Sequence, residues 1–243
     1  NPDIQVKIEG DKSLNKRNMK NLINLMGEFG ATFLPAKKTH LPLTLISSEM
    51  PIGISYKAGV SAQLKSAVML AGLNSYGVTN ISESIQSRNH TENMLLENKE
   101  VIKIKKNKDG INKIKIYGKK YLSSTKINVP ADPSSAAFFT ALTLLTKNTS
   151  LTIKKVGLNE RRIGFYNLLK KHGAKIKFEK KKKINNEIVG DLVVKSSQLK
   201  PIKASSSYYA STTDEYPILF VIAALVPGMS SFKGLKELAN KES

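Results

Sequence analysis

One pattern recurs three times along this chain. SAQLKSAVMLAGLNSYGVTNISESIQSRNHTENML, opening at Ser61, aligns with SSAAFFTALTLLTKNTSLTIKKVGLNERRIGFYNLL, opening at Ser134. A third copy, DEYPILFVIAALVPGMSSFKGLKELANKES, opens at Asp214. Each begins with small or polar residues and continues as an apolar helix of a few turns. A turn, a short β-branched strand and a polar loop follow, and in the first two copies a second helix. Similarity at a near-constant interval marks a repeated supersecondary unit, whose apolar face is buried only when copies assemble. The chain is therefore an α/β protein, with mixed sheets and helices packed inside repeated units.

Local signals agree with this alternation. Asp132 followed by Pro133 supplies an N-cap and a proline at the first helical position. Asn89 and Glu92 stand at capping-box spacing. Helices are expected over 16–29 and 162–172, each stopped by a glycine, in GEFGATF and KKHGAKIKF, with period-two residues after it. Asp109-Gly110, between two runs of alternating Ile and Lys, is a hairpin turn signal. NVPADPSS, 128–135, is the natural crossover between a first lobe over 1–129 and a second over 130–243.

Composition then excludes several chemistries. No cysteine is present, which removes disulfides, thiolate nucleophiles and Cys-based zinc sites. The histidines, His40, His90 and His172, lack ligand spacing, so no metal is expected. No apolar run reaches the roughly 18 residues of a membrane span, and no signal peptide is visible. The missing initial methionine and the abrupt stop at Lys241-Glu242-Ser243 read as those of an internal piece. The net charge of +20 favours anionic partners. Lysine supplies most of it, and the densest runs alternate with Ile as the solvated face of a hairpin would. The four arginines, Arg17, Arg88, Arg161 and Arg162, are more informative, because a rigid guanidinium fork suits phosphate and carboxylate.

Candidate site residues cluster at the openings of the repeats. Ser61-Ala62-Gln63 starts a helix, and free N–H groups at such an end suit an anion. Ser61 equally serves as a plain cap. Asp214, in TTDEYP, is either an N-cap or a carboxylate able to take a proton from a substrate hydroxyl. Arg17 is expected to begin the first helix, where a cation opposes the macrodipole unless an anionic ligand offsets it. Arg88 lies in the loop SRNHTE. Lys241 and Glu242 pair a cation with an acid at the end of the third copy. Gly10-Asp11-Lys12-Ser13 imitates a phosphate loop, but the G-x-x-x-x-G-K-[ST] spacing is absent.

The succession SAQLKSAVMLAGL, SRNHTENML, VPADPSSAAFF, DEYPILFVIAA and KES resembles the 5-enolpyruvylshikimate-3-phosphate synthase family, in its Ser-Ala-Gln bacterial class. The resemblance runs from Lys16 to the final KES. It implies a two-lobed enolpyruvyl-transferase fold of repeated βαβαββ units, an inside-out α/β barrel, here truncated at both ends. It implies transfer of the carboxyvinyl group of phosphoenolpyruvate to the 5-hydroxyl of shikimate 3-phosphate, with release of phosphate and no cofactor or metal. Such an enzyme is cytoplasmic and monomeric when complete, with neither nucleic acid nor membrane as partner. By the same resemblance, Ser61, Ala62, Gln63, Arg88, Asp214 and Lys241 bind shikimate 3-phosphate, and Arg17 and Gln63 bind phosphoenolpyruvate. Asp214 becomes the proton acceptor at the 5-hydroxyl and Glu242 the acid that protonates the methylene carbon. Lys12 falls in the Gly-Asp-x-Ser-Leu turn before the KRNM segment, not in the family's lysine motif, and reads as a solvated side chain.

Departures from the family pattern are Asn18 after Arg17, Asn89 after Arg88, Ala131 in the crossover, and Ala239-Asn240 before Lys241. The family's N-terminal lysine motif and its later arginines are missing, so the piece alone is expected to be inactive. Two alternatives stand beside this reading. A UDP-N-acetylglucosamine 1-carboxyvinyltransferase shares the fold but commonly uses a cysteine acid, which this chain lacks. A lysine-rich nucleic-acid-binding module predicts salt-sensitive binding, against which the scarcity of arginine argues.

Overall fold

The computed structural model describes residues 4–107, 109–236 and 238. The chain divides into two compact units, Asn1–Thr125 and Lys126–Ser243.

Unit 1 opens with β1 (Gln5–Ile8), α1 (Lys20–Glu28), β2 (Thr32–Leu34) and β3 (Leu43–Ile46). These strands form an antiparallel sheet in the order β1-β3-β2. The first full repeat follows: β4 (Ser55–Ala58), α2 (Ala62–Asn74), β5 (Val78–Glu83), α3 (His90–Leu95), β6 (Ile102–Lys106) and β7 (Asn112–Tyr117). Its sheet runs β4-β5-β7-β6, with β4 parallel to β5 and the other pairs antiparallel. The Ile/Lys alternation sets the register. Ile102 pairs Ile116 and Ile104 pairs Ile114, while Lys103 faces Lys115 and Lys105 faces Lys113. Ile102, Ile114 and Ile116 are buried with Val68 and Met69 of α2, and the lysines take the opposite face, as period-two side chains must. The turn signalled by Asp109-Gly110 closes through the Asn107 amide on the Ile111 carbonyl at 2.9 Å.

Unit 2 repeats the same order. Ala131 makes a parallel bridge with Val156, and then come α4 (Pro133–Leu145), β8 (Ser150–Gly157), α5 (Gly164–Lys171), β9 (Lys175–Ile184) and β10 (Glu187–Lys195). The sheet is antiparallel, β8-β10-β9. A third copy starts with β11 (Lys203–Ala204), α6 (Tyr209–Thr212), α7 (Tyr216–Leu225) and β12 (Ser231–Phe232), with β11 parallel to β12. Each sequence repeat is thus a strand, an apolar helix and a parallel strand. Phe165, Tyr166, Leu168 and Leu169 of α5 join Leu192 and Val194 of β10 in the core of this unit.

Helix boundaries differ from the expected ones in instructive places. α1 starts at Lys20 rather than 16, because residues 14–16 close into a separate 3-10 turn. Asn18 then accepts the Lys20 amide at 2.9 Å, and α1 starts after Met19 as N-cap. α5 starts at Gly164, after Ile163 as N-cap. Both glycine stops hold: Gly30 and Gly173 have φ of 89° and 98°, a left-handed conformation that costs other residues their Cβ clearance. Asp132 caps α4 as expected, accepting the amides of Ser134 and Ser135 at 3.2 and 2.8 Å. The capping box at Asn89 and Glu92 does not form. Asn89 is the N-cap but makes no side-chain capping bond, and the Glu92 carboxylate lies instead against Lys65.

Candidate functional site

The first turn of α2 is built as its sequence predicts. The Ser61 hydroxyl accepts the Leu64 amide at 3.3 Å, and the Ser61 carbonyl accepts the Lys65 amide at 3.2 Å. Gln63 is exposed and Ser61 half-buried. A cap accounts for one of the free N–H groups of a helix end; the others remain able to meet an anion.

Arg88 lies two residues before α3, half-buried, on the segment that leaves β5 at Glu83. Glu83 holds that segment. Its Oε1 accepts the amide and the hydroxyl of Ser87, each at 2.8 Å. Its Oε2 accepts Asn112 Nδ2 at 3.3 Å. Lys65 Nζ donates to Glu83 Oε1 at 2.8 Å and lies 2.6 Å from Glu92 Oε1. Lys65, Glu83 and Glu92 are 0%, 0% and 3% exposed. Burial alone would raise the Glu83 carboxyl; the Lys65 ammonium and the Ser87 hydroxyl and amide outweigh it and hold the group below the usual carboxylate range. Beside this cluster Ser66 and Thr91 share a hydrogen bond of 2.7 Å, joining α2 to α3. Lys65 and Ser66 thus tie α2, the helix that Ser61 opens, to the residues flanking Arg88, through contacts that sequence reading passed over. Lys65 was hidden because a lysine in an apolar helix looks like its solvated edge.

Arg17 is exposed and caps the short 3-10 turn, its amide donating to the Leu14 carbonyl at 3.1 Å. It does not begin α1, so the argument from an opposed macrodipole fails: Asn18 and Met19 intervene. Lys12 is exposed on the preceding turn, where Asp11 accepts the Leu14 amide at 2.7 Å.

In unit 2, Asp214 lies in a 3-10 turn, Thr213–Glu215, and Glu215 rather than Asp214 is the N-cap of α7. Asp214 is instead gripped by Arg162, whose Nη1 donates to Oδ2 at 3.0 Å. The same guanidinium reaches Asp132 Oδ1 at 3.0 Å and Ser134 Oγ at 2.9 Å through Nη2. Ser134 in turn donates to Glu215. One planar fork thus links the openings of α4 and α7, a use of arginine that lysine cannot copy. Burial would raise Asp132, but the Ser135 hydroxyl and amide, the Arg162 guanidinium and the Ser134 amide together hold it at about 2. Tyr166 donates to the Pro133 carbonyl at 2.5 Å, and burial, then the charge of Glu215, pushes its phenol well up. Arg162 was one of the four arginines that the sequence singled out, and its partners, Asp132 and Asp214, were not legible there.

Lys241 and Glu242 lie outside the described residues. Among the described residues no group of three or more His, Cys, Asp or Glu could hold a metal ion. No helix among them is long and apolar enough to cross a membrane.

A family model described as EPSP synthase (3-phosphoshikimate 1-carboxyvinyltransferase) matches residues 2–243. The 3-phosphoshikimate 1-carboxyvinyltransferase of Zymomonas mobilis is 41% identical over 235 residues, covering 96% of this chain and 52% of that protein. That of Bartonella tribocorum is 39% identical, covering 96% and 53%. Among solved structures, an EPSP synthase from Acinetobacter baumannii matches 98% of this chain and 54% of its own, with a TM-score of 0.80 at 32% identity. An enolpyruvyl transferase from Streptomyces tendae shares the fold, with a TM-score of 0.67 at 13% identity. The chain spans about half the length of the curated relatives it matches.

Proposed function

Because the chain belongs to the EPSP synthase family, we propose that it carries much of the substrate-binding and proton-transfer machinery of a 3-phosphoshikimate 1-carboxyvinyltransferase. The repeated strand-helix order of its two units supports assignment to the two lobes of an inside-out α/β barrel. Ser61, Ala62, Gln63 and Arg88 of unit 1 bind shikimate 3-phosphate, joined by Lys241. Arg17 and Gln63 take phosphoenolpyruvate. Both substrates are multiply anionic, so fixed cations and helix-end amides are what the reaction needs to hold them.

The observation that carries the chemical assignment is the orientation of Asp214. Arg162 holds its carboxylate through Oδ2 at 3.0 Å, at the mouth of α7. A carboxylate so held accepts the proton of the 5-hydroxyl as its oxygen attacks phosphoenolpyruvate, and Glu242 supplies the proton taken up by the methylene carbon. The methyl carbon so formed then returns a proton to the Glu242 carboxylate, which re-forms the carbon–carbon double bond as phosphate leaves. Two acids in different surroundings can divide base and acid roles in this way. The enzyme is cytoplasmic and monomeric, needs no cofactor, and completes its site with segments equivalent to the rest of the relatives' length; the 243-residue chain alone does not turn over.

The test joins this chain to the remaining segments of the Zymomonas mobilis relative and measures phosphate release from phosphoenolpyruvate. Release is expected with shikimate 3-phosphate and not with UDP-N-acetylglucosamine. Asp214→Ala should lower kcat by about 10²- to 10⁴-fold, the usual worth of a general base. A folded chimera that releases phosphate with neither acceptor, or equally well without Asp214, would sink the assignment.

A further inference from the structure

Lys65 is fully buried and has no direct place among the residues assigned to substrate. Its ammonium faces two buried carboxylates, Glu83 and Glu92, at 2.8 and 2.6 Å. Three charged groups taken out of water are costly, and well-packed apolar residues in place of all three would commonly serve stability as well or better. What the charges supply is direction. From Ser61, whose carbonyl accepts the Lys65 amide, the links run through Lys65 Nζ to Glu83, and from Glu83 Oε1 to the amide and hydroxyl of Ser87. Ser87 is the residue before Arg88. A second branch runs from Lys65 to Glu92 in the first turn of α3, so the segment 84–89 is held at both ends.

We propose that Lys65 is a positioning residue: by bridging Glu83 and Glu92 it sets the Arg88 segment against the Ser61–Gln63 turn and so fixes the spacing at which unit 1 grips the anionic acceptor. The inference rests on the reading of those residues as shikimate 3-phosphate ligands. A lysine that merely filled space would affect folding and leave the grip of a folded protein unchanged.

The decisive experiment is a double-mutant cycle in the chimera described above. Lys65→Met is expected to raise KM for shikimate 3-phosphate far more than it changes KM for phosphoenolpyruvate, and Lys65→Arg should recover part of the loss. Ser87→Ala deletes one bond to Glu83 without unbalancing the buried charge, and should raise the same KM about tenfold, the worth of a hydrogen bond to a charged group. In an Arg88→Ala background either change should add less than about twofold, since coupled residues are not additive. If Lys65→Met fails to fold, the Ser87→Ala cycle decides. Full additivity with Arg88→Ala, or an unchanged KM in folded variants, overturns the proposal while leaving the function intact. A folded wild-type chimera that neither binds nor converts shikimate 3-phosphate overturns the functional reading first, and the inference with it. An independent readout uses the 243-residue chain itself. With only four arginines, the Arg88 Nε–H resonance can be assigned by substitution. It should shift in Ser87→Ala and stay in place if Lys65 and Ser87 do not act on Arg88.

Discussion

Each unit places an arginine two residues before the second helix of its repeat: Arg88 before α3 and Arg162 before α5. The frame is the same, and the residues around it are not. In unit 2 the first helix of the repeat opens on an acid, Asp132, and the arginine is bound to it and to Asp214. In unit 1 the first helix opens on Ser61, Ala62 and Gln63, all neutral, and the acids are held back in the interior by Lys65. One repeat therefore uses its arginine to orient a carboxylate. The other opens its first helix on neutral residues, a helix end that suits an anionic ligand. A duplicated supersecondary unit becomes two chemically opposite surfaces through the choice of one capping residue and the burial of two others.

The largest consequence concerns stability. Lys65→Met leaves Glu83 and Glu92 buried together without their cation, a change expected to cost about 3–5 kcal/mol. Arg162→Met removes a cation from carboxylates that are 47% and 37% exposed. Solvent screens those, and the loss should stay nearer 1 kcal/mol. Urea unfolding of the 243-residue chain measures both. Equal losses would mean that the two networks are not the contrasting pair described above.

Next in size is a swap between the frames. Ser61→Asp gives unit 1 the acid that unit 2 carries, and Asp caps a helix as well as Ser. The fold should be unaffected, while a carboxylate at the first turn of α2 repels an anionic acceptor. KM for shikimate 3-phosphate in the chimera is expected to rise by about tenfold or more, as a like charge near a bound anion implies. An unchanged KM would separate Ser61 from the acceptor site and leave only its capping role.

How much of this could be read beforehand follows from the range of the interactions involved. The repeat, the hairpin and the glycine stops are local patterns, and the structure bears them out. The cap at Asp132 is likewise local. What escaped were contacts between residues far apart in sequence: Lys65 with Glu83 and Glu92, and Arg162 with Asp132 and Asp214. The Glu92 half of the expected capping box went astray for the same reason, because the buried Lys65 ammonium holds its carboxylate. Arg17 was misplaced within its segment because a 3-10 turn and the onset of a helix share the same residue preferences. The candidate ligands themselves came from the order of motifs along the chain, and no single one of them would have sufficed.

The smallest effect tests the exposed network through protons. Asp132 lies at about 2 in the folded chain against a usual value of 3.8. A folded-state value below the unfolded one contributes stability that is present above about pH 4 and is lost as pH falls toward 2. Asp132→Asn keeps a competent cap, since Asn and Asp rank together at that position, and removes the titration. Its stability should therefore fall less steeply than that of the parent chain between pH 4 and 2, with the two curves running parallel above pH 5. Urea unfolding at half-unit intervals of pH resolves the two slopes. Identical slopes would show that the Arg162 fork and the Ser135 hydroxyl and amide do not hold the Asp132 proton as described, and the contrast with the buried lysine cluster would then rest on Asp214 alone.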